Sequence, residues 1–355
     1  MKPSTSCSAV GRHALLARLD SEGDVLLTGP AVRAVAAGAR KVTLLAGPRG
    51  HAAAALLPGV DELVVHHAAW IDAEPEPVDR EETLAFVDDL AARGIDEAAI
   101  FTSFHQSPLP LALLLRLAGV PRIAAVSEEY PGSLLDVRHR DPGDVHEVAR
   151  GLELVASLGY RLPPDDDARL RVAVPPETDN PARGDPYVVV HPGASVPARA
   201  WAPEKHAALV AALVAAGRRV VVTGGSDEME LTRFVAGDLA VDLGGRTTLA
   251  ELAAVLRQGD VLVVGNTGPA HLAAAVGTPV VSLFAPTVPA VRWHPWRVPT
   301  VLLGDQDAPC AGSRARVCPV DGHPCLNAVP VDSVLAAVEE LTPVSDSHSL
   351  VHAQR

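Results

Sequence analysis

Lysine is nearly absent from this chain: of its 30 basic residues only Lys2, Lys41 and Lys205 are not arginine. Alongside plentiful alanine, glycine, proline and valine, that bias marks a GC-rich coding sequence and says nothing about mechanism. A surplus of positive charge is missing too. With 43 acidic residues the formal net charge is −13, and no basic patch stands ready to neutralise phosphates. Nucleic acid is therefore excluded as the expected partner, and electrostatic docking on an anionic membrane is disfavoured. No uninterrupted apolar run reaches the roughly 18 residues of a membrane-spanning helix, so no integral membrane contact is expected. The opening "MKPSTSCSAVGRHALLARLD" holds a short apolar stretch broken by Arg18 and lacks a cleavage-site pattern. It reads as a disordered start and not a signal peptide, which makes a cytoplasmic location the expectation.

What is present is apolar and regular. Hydrophobic residues make up 48% of the 355, enough for two compact units with cores of their own. In the first half the runs "HALLARL" (13–19), "KVTLLAG" (41–47), "ELVVHH" (62–67), "AAIFTS" (98–103) and "RIAAVS" (122–127) read as strands. Between and after them lie helix patterns such as "DREETLAFVDDLAARG" (79–94), acidic at its start and closed by Arg-Gly, and "DVHEVARGLELVASLG" (144–159). This alternation predicts βαβ units and a parallel sheet. A Pro- and Asp-rich stretch with no sustained period follows. The alternation then restarts at "YVVVHPG" and runs to a last helix, "VDSVLAAVEEL" (331–341). The expected layout is one α/β domain over 11–162, a linker over 163–186, a second α/β domain over 187–342 and a polar tail, 343–355. A ligand cleft is expected at the carboxyl ends of the two sheets.

Four short segments carry chemistry. In "LDSEGDVLLTGPAVRAV" (19–35) a strand ends, a turn follows, and Asp24 stands where a helix begins. It is either a stabilising N-terminal acid or a general base. In "HPGASVPARAWAPEKHAALV" (191–210) the turn from Pro192 to Ser195 offers backbone N–H groups to an anion. Arg199 behind it is either a solvated surface residue or a bidentate phosphate ligand. "VTGGSDEMEL" (222–231) sets Gly225 and Asp227 in a turn that serves equally as ordinary capping or as a ribose-hydroxyl site. In "GNTGPAHLAAAVGTPVVSLFAPT" (265–287), Asn266, Thr267, Gly268 and Pro269 open a helix whose N-terminal donors suit phosphate. His271, one turn in, is either a core histidine or a further phosphate contact, and the glycine-rich turn makes room beside it.

Taken together, these segments resemble glycosyltransferase family 9, the heptosyltransferases of the lipopolysaccharide inner core, over residues 12–341. "GDVLLTGPAVRAV" is similar to the family's N-terminal motif, whose proposed base falls on Asp24. "HPGAS…R.W.PE" is similar to the segment that opens its second domain, with the basic position on Arg199. The run at 265–287 resembles its nucleotide-binding signature, with Asn266, Thr267, Gly268 and His271 at the diphosphate positions. The resemblance implies an α/β GT-B fold, two Rossmann-like domains with parallel sheets facing a central cleft. It further implies an inverting, metal-independent transfer of heptose from ADP-heptose to a hydroxyl of a glycan or small-molecule acceptor. Asp24 is the implied base. Ser195, Arg199, Gly225, Asp227, Asn266, Thr267, Gly268, Pro269 and His271 are the implied donor ligands, and the nucleotide sugar is a substrate, with no cofactor needed. His105 and Gln106, in "SFHQSP" (103–108), are candidates for reading the acceptor.

Other readings stay open. A transferase of aminoglycoside-like natural products would draw a cationic acceptor to the acidic surface. From other classes come a GT-B sugar-nucleotide epimerase and a non-catalytic sugar-nucleotide binder. The segment "CAGSRARVCPVDGHPC" (310–325) resembles a cysteine loop of many family members, with Ser313 replacing one Cys. Cys310, Cys318 and Cys325, near His323, are either free thiols in a reducing compartment or part of a zinc site.

Overall fold

The computed structural model describes residues 11–72, 75–103, 106–140 and 143–342. The first ten residues, His105 and the tail 343–355 lie outside the described residues. In the first half the chain runs β1 (His13–Arg18), α1 (Glu22–Leu27), α2 (Gly29–Ala36), β2 (Lys41–Ala46), α3 (His51–Ala55), β3 (Glu62–Val65), α4 (Arg80–Ala92), β4 (Glu97–Phe101), α5 (Leu109–Leu117), β5 (Arg122–Val126), β6 (Val137–His139) and α6 (Glu147–Ser157). The second half runs β7 (Tyr187–His191), α7 (Pro203–Ala215), β8 (Arg219–Val222), α8 (Met229–Ala236), β9 (Val241–Asp242), α9 (Leu249–Gln258) and β10 (Val261–Gly265). It closes with α10 (Gly268–Val276), β11 (Val280–Leu283), α11 (Ala290–Trp293), β12 (Thr300–Leu303), α12 (Pro324–Asn327) and α13 (Val331–Leu341).

Two six-stranded sheets result, ordered β3-β2-β1-β4-β5-β6 and β12-β11-β10-β7-β8-β9. Every strand pair is parallel. In each sheet the strand order reverses at the centre, beside β1 and β4 or beside β7 and β10, where ligands of doubly wound folds gather. All residues of those four strands are buried. Helices cover both faces, so these strands are apolar along their middles without alternation, with Arg18 at the end of β1 and Glu97 at the start of β4 as buried exceptions. The helix boundaries are local chemistry. Asp79 caps α4 by accepting from the backbone N–H of Glu82 at 2.8 Å, and Thr248 with Glu251 forms a capping box on α9. Several elements escaped the sequence reading, mostly short ones: β6 has only three residues, α3, α11, β12 and α12 have four or five, and α5, "LPLALLLRL", is apolar nearly all round and so shows no amphipathic period.

By contacts the chain divides into two units. The first takes the residues up to Thr178 with Thr267–Val276 and Pro289–Arg297; the second takes Asp179–Asn266, Gly277–Val288 and the residues from Val298. Thus α10 packs in the first unit although its sequence neighbours β10 and β11 belong to the second. Leu15, Leu90, Ile100, Leu111 and Ile123 centre the first core; Val188, Val190, Leu209, Val263 and Leu283 centre the second.

Candidate functional site

The carboxyl end of β1 carries a charge where the strand is otherwise apolar. Arg18, 3% exposed, donates through Nη2 to Asp24 Oδ1 at 2.9 Å and to Ser103 Oγ at 3.0 Å. Its Nε pairs with Asp20 Oδ2 at 2.7 Å, and its Nη1 lies 3.8 Å from Glu147 Oε2. Burial works against the guanidinium charge, but Asp20, Asp24 and Glu147 outweigh it and hold Arg18 protonated. Asp24 is the third residue of α1, and its other oxygen accepts from Ser21 Oγ at 2.9 Å. Ser21 occupies the N-cap position yet bonds no backbone N–H there; its hydroxyl is spent on Asp24. The Asp24 side chain is 20% exposed against 3% for Arg18, so it is the partner that solvent reaches. Glu147 is in turn bound by Arg150 at 3.2 Å and by Arg292 at 3.4 Å. Gln106 is braced inward, donating to Asp20 and accepting from the Ser103 backbone N–H at 3.1 Å.

Across from Asp24, α10 makes its closest approach through glycine. A Cβ added at Gly23 would sit 3.1 Å from His271 Cδ2 and 3.2 Å from Gly268 Cα. The beginnings of α1 and α10 therefore meet at backbone distance, and the start of α10, where the Ala270 N–H already donates to the Thr267 carbonyl at 3.0 Å, lies beside the helix that carries Asp24. His271 is 4% exposed, and its Nδ1 has no hydrogen-bond partner among the described residues. Burial pushes its pKa down to about 4, against an opposing pull from Asp24. At neutral pH it is an uncharged imidazole that offers one N–H donor.

In the second unit β7 ends in His191, and the turn that follows leaves Ser195 exposed. Arg199 ends a short 3-10 turn, Pro197–Arg199, and is half-buried. Its carbonyl oxygen would be 3.0 Å from a Cβ on Gly265, so the turn lies directly against the end of β10. Gly225 and Asp227 are exposed, whereas Asn266 is buried. The acid that fills the glycine cradle is Glu228. A Cβ at Gly193 would overlap its carboxylate at 1.9 Å, and its Oε2 accepts from the Gly225 N–H at 2.8 Å. His191 is fixed by Thr223 at 3.0 Å, and burial pushes it down to about 4.

Among the described residues no group of three or more His, Cys, Asp or Glu side chains is arranged to hold a metal ion. Of the acidic run at 165–167, Asp166 pairs with Arg33 and Arg171 and Asp167 with Arg171. Cys310 and Cys325 belong to the second core. Burial and the neighbouring Cys310 push the Cys325 thiol up to about 11, so it is protonated at neutral pH. Sequence reasoning passed over Asp20, Ser103, Glu147, Arg150 and Arg292 altogether. For Arg18 a signal was there, since a charge inside a buried-strand pattern is rare without partners.

Residues 106–323 match the family described as Glycosyltransferase family 9 (heptosyltransferase), a stretch that contains the segments at 191–210, 222–231 and 265–287 but not Asp24. Over 201 residues the chain is 32% identical to lipopolysaccharide heptosyltransferase 3 of Escherichia coli, covering 54% of this chain and 56% of that protein. The chain spans about half the length of the curated relatives it matches. Similarity over the whole chain comes from solved structures. The glycosyl transferase family 9 structure from Veillonella parvula DSM 2008 has a TM-score of 0.77 at 18% identity, covering 96% of this chain and 100% of that one. The E. coli ADP-heptose LPS heptosyltransferase II has a TM-score of 0.73 at 20% identity, covering 93% and 98%. These likenesses show the two-domain α/β GT-B fold, and the family match, over more than half of the chain, shows that the chain belongs to glycosyltransferase family 9.

Proposed function

We propose that this protein is a cytoplasmic enzyme that moves heptose from ADP-heptose to a hydroxyl of a lipopolysaccharide-type glycan, with inversion and without a metal ion. The observation that carries the reading is the glycine-to-glycine approach of α1 and α10. It puts an ion-paired, solvent-reached carboxylate beside a helix start and a neutral, buried histidine. Asp24 accepts the proton of the acceptor hydroxyl as its oxygen bonds to the anomeric carbon. The bond from that carbon to the ADP oxygen breaks in the same displacement, so the configuration inverts. Negative charge grows on the departing diphosphate. The N–H groups at Thr267 and Gly268, the His271 N–H and the Arg199 guanidinium stabilise it without a cation. Ser195, Gly225, Asp227, Asn266 and Pro269 shape the rest of the nucleotide site, with 187–342 as the donor domain and 11–162 as the acceptor domain. No helix among the described residues is long and apolar enough to cross a membrane.

The donor assignment follows the names of the relatives above, an ADP-heptose heptosyltransferase and a lipopolysaccharide heptosyltransferase. The test is turnover of ADP-heptose with heptose-deficient lipopolysaccharide core in EDTA, followed by ADP release and product mass. A product heavier by one heptose, lost in Asp24→Asn, supports the reading. Transfer from a different nucleotide sugar alone would discard heptose and keep the mechanism.

A further inference from the structure

Arg18 is buried against the proposed base, yet the transfer as written gives it no part. We propose that Arg18 is a positioning residue: its guanidinium, with Ser21, fixes the orientation of the Asp24 carboxylate and acts on catalysis only through it. This rests on Asp24 being the base. The hold on Asp24 has two points, Arg18 Nη2 on one oxygen and Ser21 Oγ on the other, each at 2.9 Å. Two hydrogen bonds on different oxygens set the carboxylate plane, and with it the direction of the lone pairs left for a hydroxyl. Arg18 is itself immobilised. The Asp20 carboxylate is ion-paired with it, 2.7 Å from Nε, Ser103 shares its Nη2 at 3.0 Å, and Glu147 faces its Nη1 at 3.8 Å.

A fork of this kind is a property of arginine. Lysine in its place keeps the charge but is a point donor that cannot engage Asp20 and Asp24 in one fixed geometry. A carboxylate released by such a change would stay in the site and lose its aim, and misplacement on the ångström scale costs about 100-fold in rate.

The experiment is a double-mutant cycle in the full chain: wild type, Arg18→Lys, Asp24→Asn and the double variant. Each is measured for kcat with ADP-heptose and heptose-deficient lipopolysaccharide core, for ADP affinity by calorimetry, and for thermal unfolding. Arg18→Lys is expected to lose about 10- to 100-fold in kcat while binding ADP as the wild type does. In the Asp24→Asn background it should cost nothing further, because residues that act as a unit are not additive. Wild-type kcat in Arg18→Lys, or the same loss repeated on Asp24→Asn, would overturn the proposal. Should Arg18→Lys fail to fold, Ser21→Ala reads the second point of the hold from an exposed position. It must lower kcat and spare ADP affinity, and an undiminished kcat there overturns the two-point hold. A wild-type chain that forms no heptosyl product overturns the donor reading, and Asp24→Asn with wild-type kcat overturns the base assignment; each failure is separate from that of Arg18.

Discussion

Replacing Gly23 by alanine tests the meeting of α1 and α10 with a single methyl group. The new Cβ would lie 3.1 Å from His271 Cδ2 and 3.2 Å from Gly268 Cα, where ordinary contact begins at 3.4 Å. The neighbours must give by a few tenths of an ångström, and neither is a free chain end. His271 is 4% exposed, and the Gly268 atom is backbone. Overpacking of this kind costs about 1–3 kcal/mol. Gly23 lies inside α1 with no positive φ, so alanine recovers up to about 1 kcal/mol of helix propensity. The net loss is about 0–3 kcal/mol, which at about 2–4 °C per kcal/mol lowers Tm by at most about 12 °C. Function should suffer more than stability, because the cheapest relief moves the α10 start away from Asp24. We expect kcat to fall about tenfold or more, with ADP affinity reduced as well. Thermal unfolding, ADP calorimetry and steady-state turnover measure the three effects. An alanine variant with wild-type kcat and ADP affinity would refute the claim that this contact sets the site.

His271→Ala should weaken ADP binding by about 2- to 12-fold, the worth of one neutral hydrogen bond, and EDTA should leave wild-type binding unchanged in the same titration. Gln106→Ala should lower kcat or Tm with an unchanged acceptor KM, because its amide is spent on Asp20 and Ser103; a raised acceptor KM alone would return it to acceptor binding. Burial holds His146 and His206 at about 3 and His191 and His271 at about 4. The unfolded chain protonates these groups near 6.5 and the native chain does not, so stability present above pH 6.5 is lost as pH falls toward 4. Urea midpoints should stay level from pH 7.5 to about 6.5 and decline from there to pH 4, and a level profile over the whole range contradicts neutral burial of these histidines.

The sequence by itself determined the parts whose causes are local. β1, β4, β7 and β10 were legible because strands covered on both faces must be apolar along their length. The start of α4 was legible because Asp79 is a capping residue followed by first-turn acids. Asp24 and His271 stood out because each sits at a strand-to-helix turn, a property of a dozen consecutive residues. Tertiary structure decided what depends on residues far apart in the chain. Glu147 reaches Arg18 and Arg292 only because the sheet order puts the start of α6 beside the ends of β1 and β4, and no periodicity encodes that. Which acid fills the glycine cradle, Glu228 and not Asp227, depends on a three-residue 3-10 turn, Ser226–Glu228, that a one-residue shift would reverse. The packing of α10 in the first unit turns on Gly23 and Gly268 lacking side chains at the same point. Burial patterns and caps are written along the chain, whereas the pairing of charges and the meeting of glycines exist only once the strands are ordered.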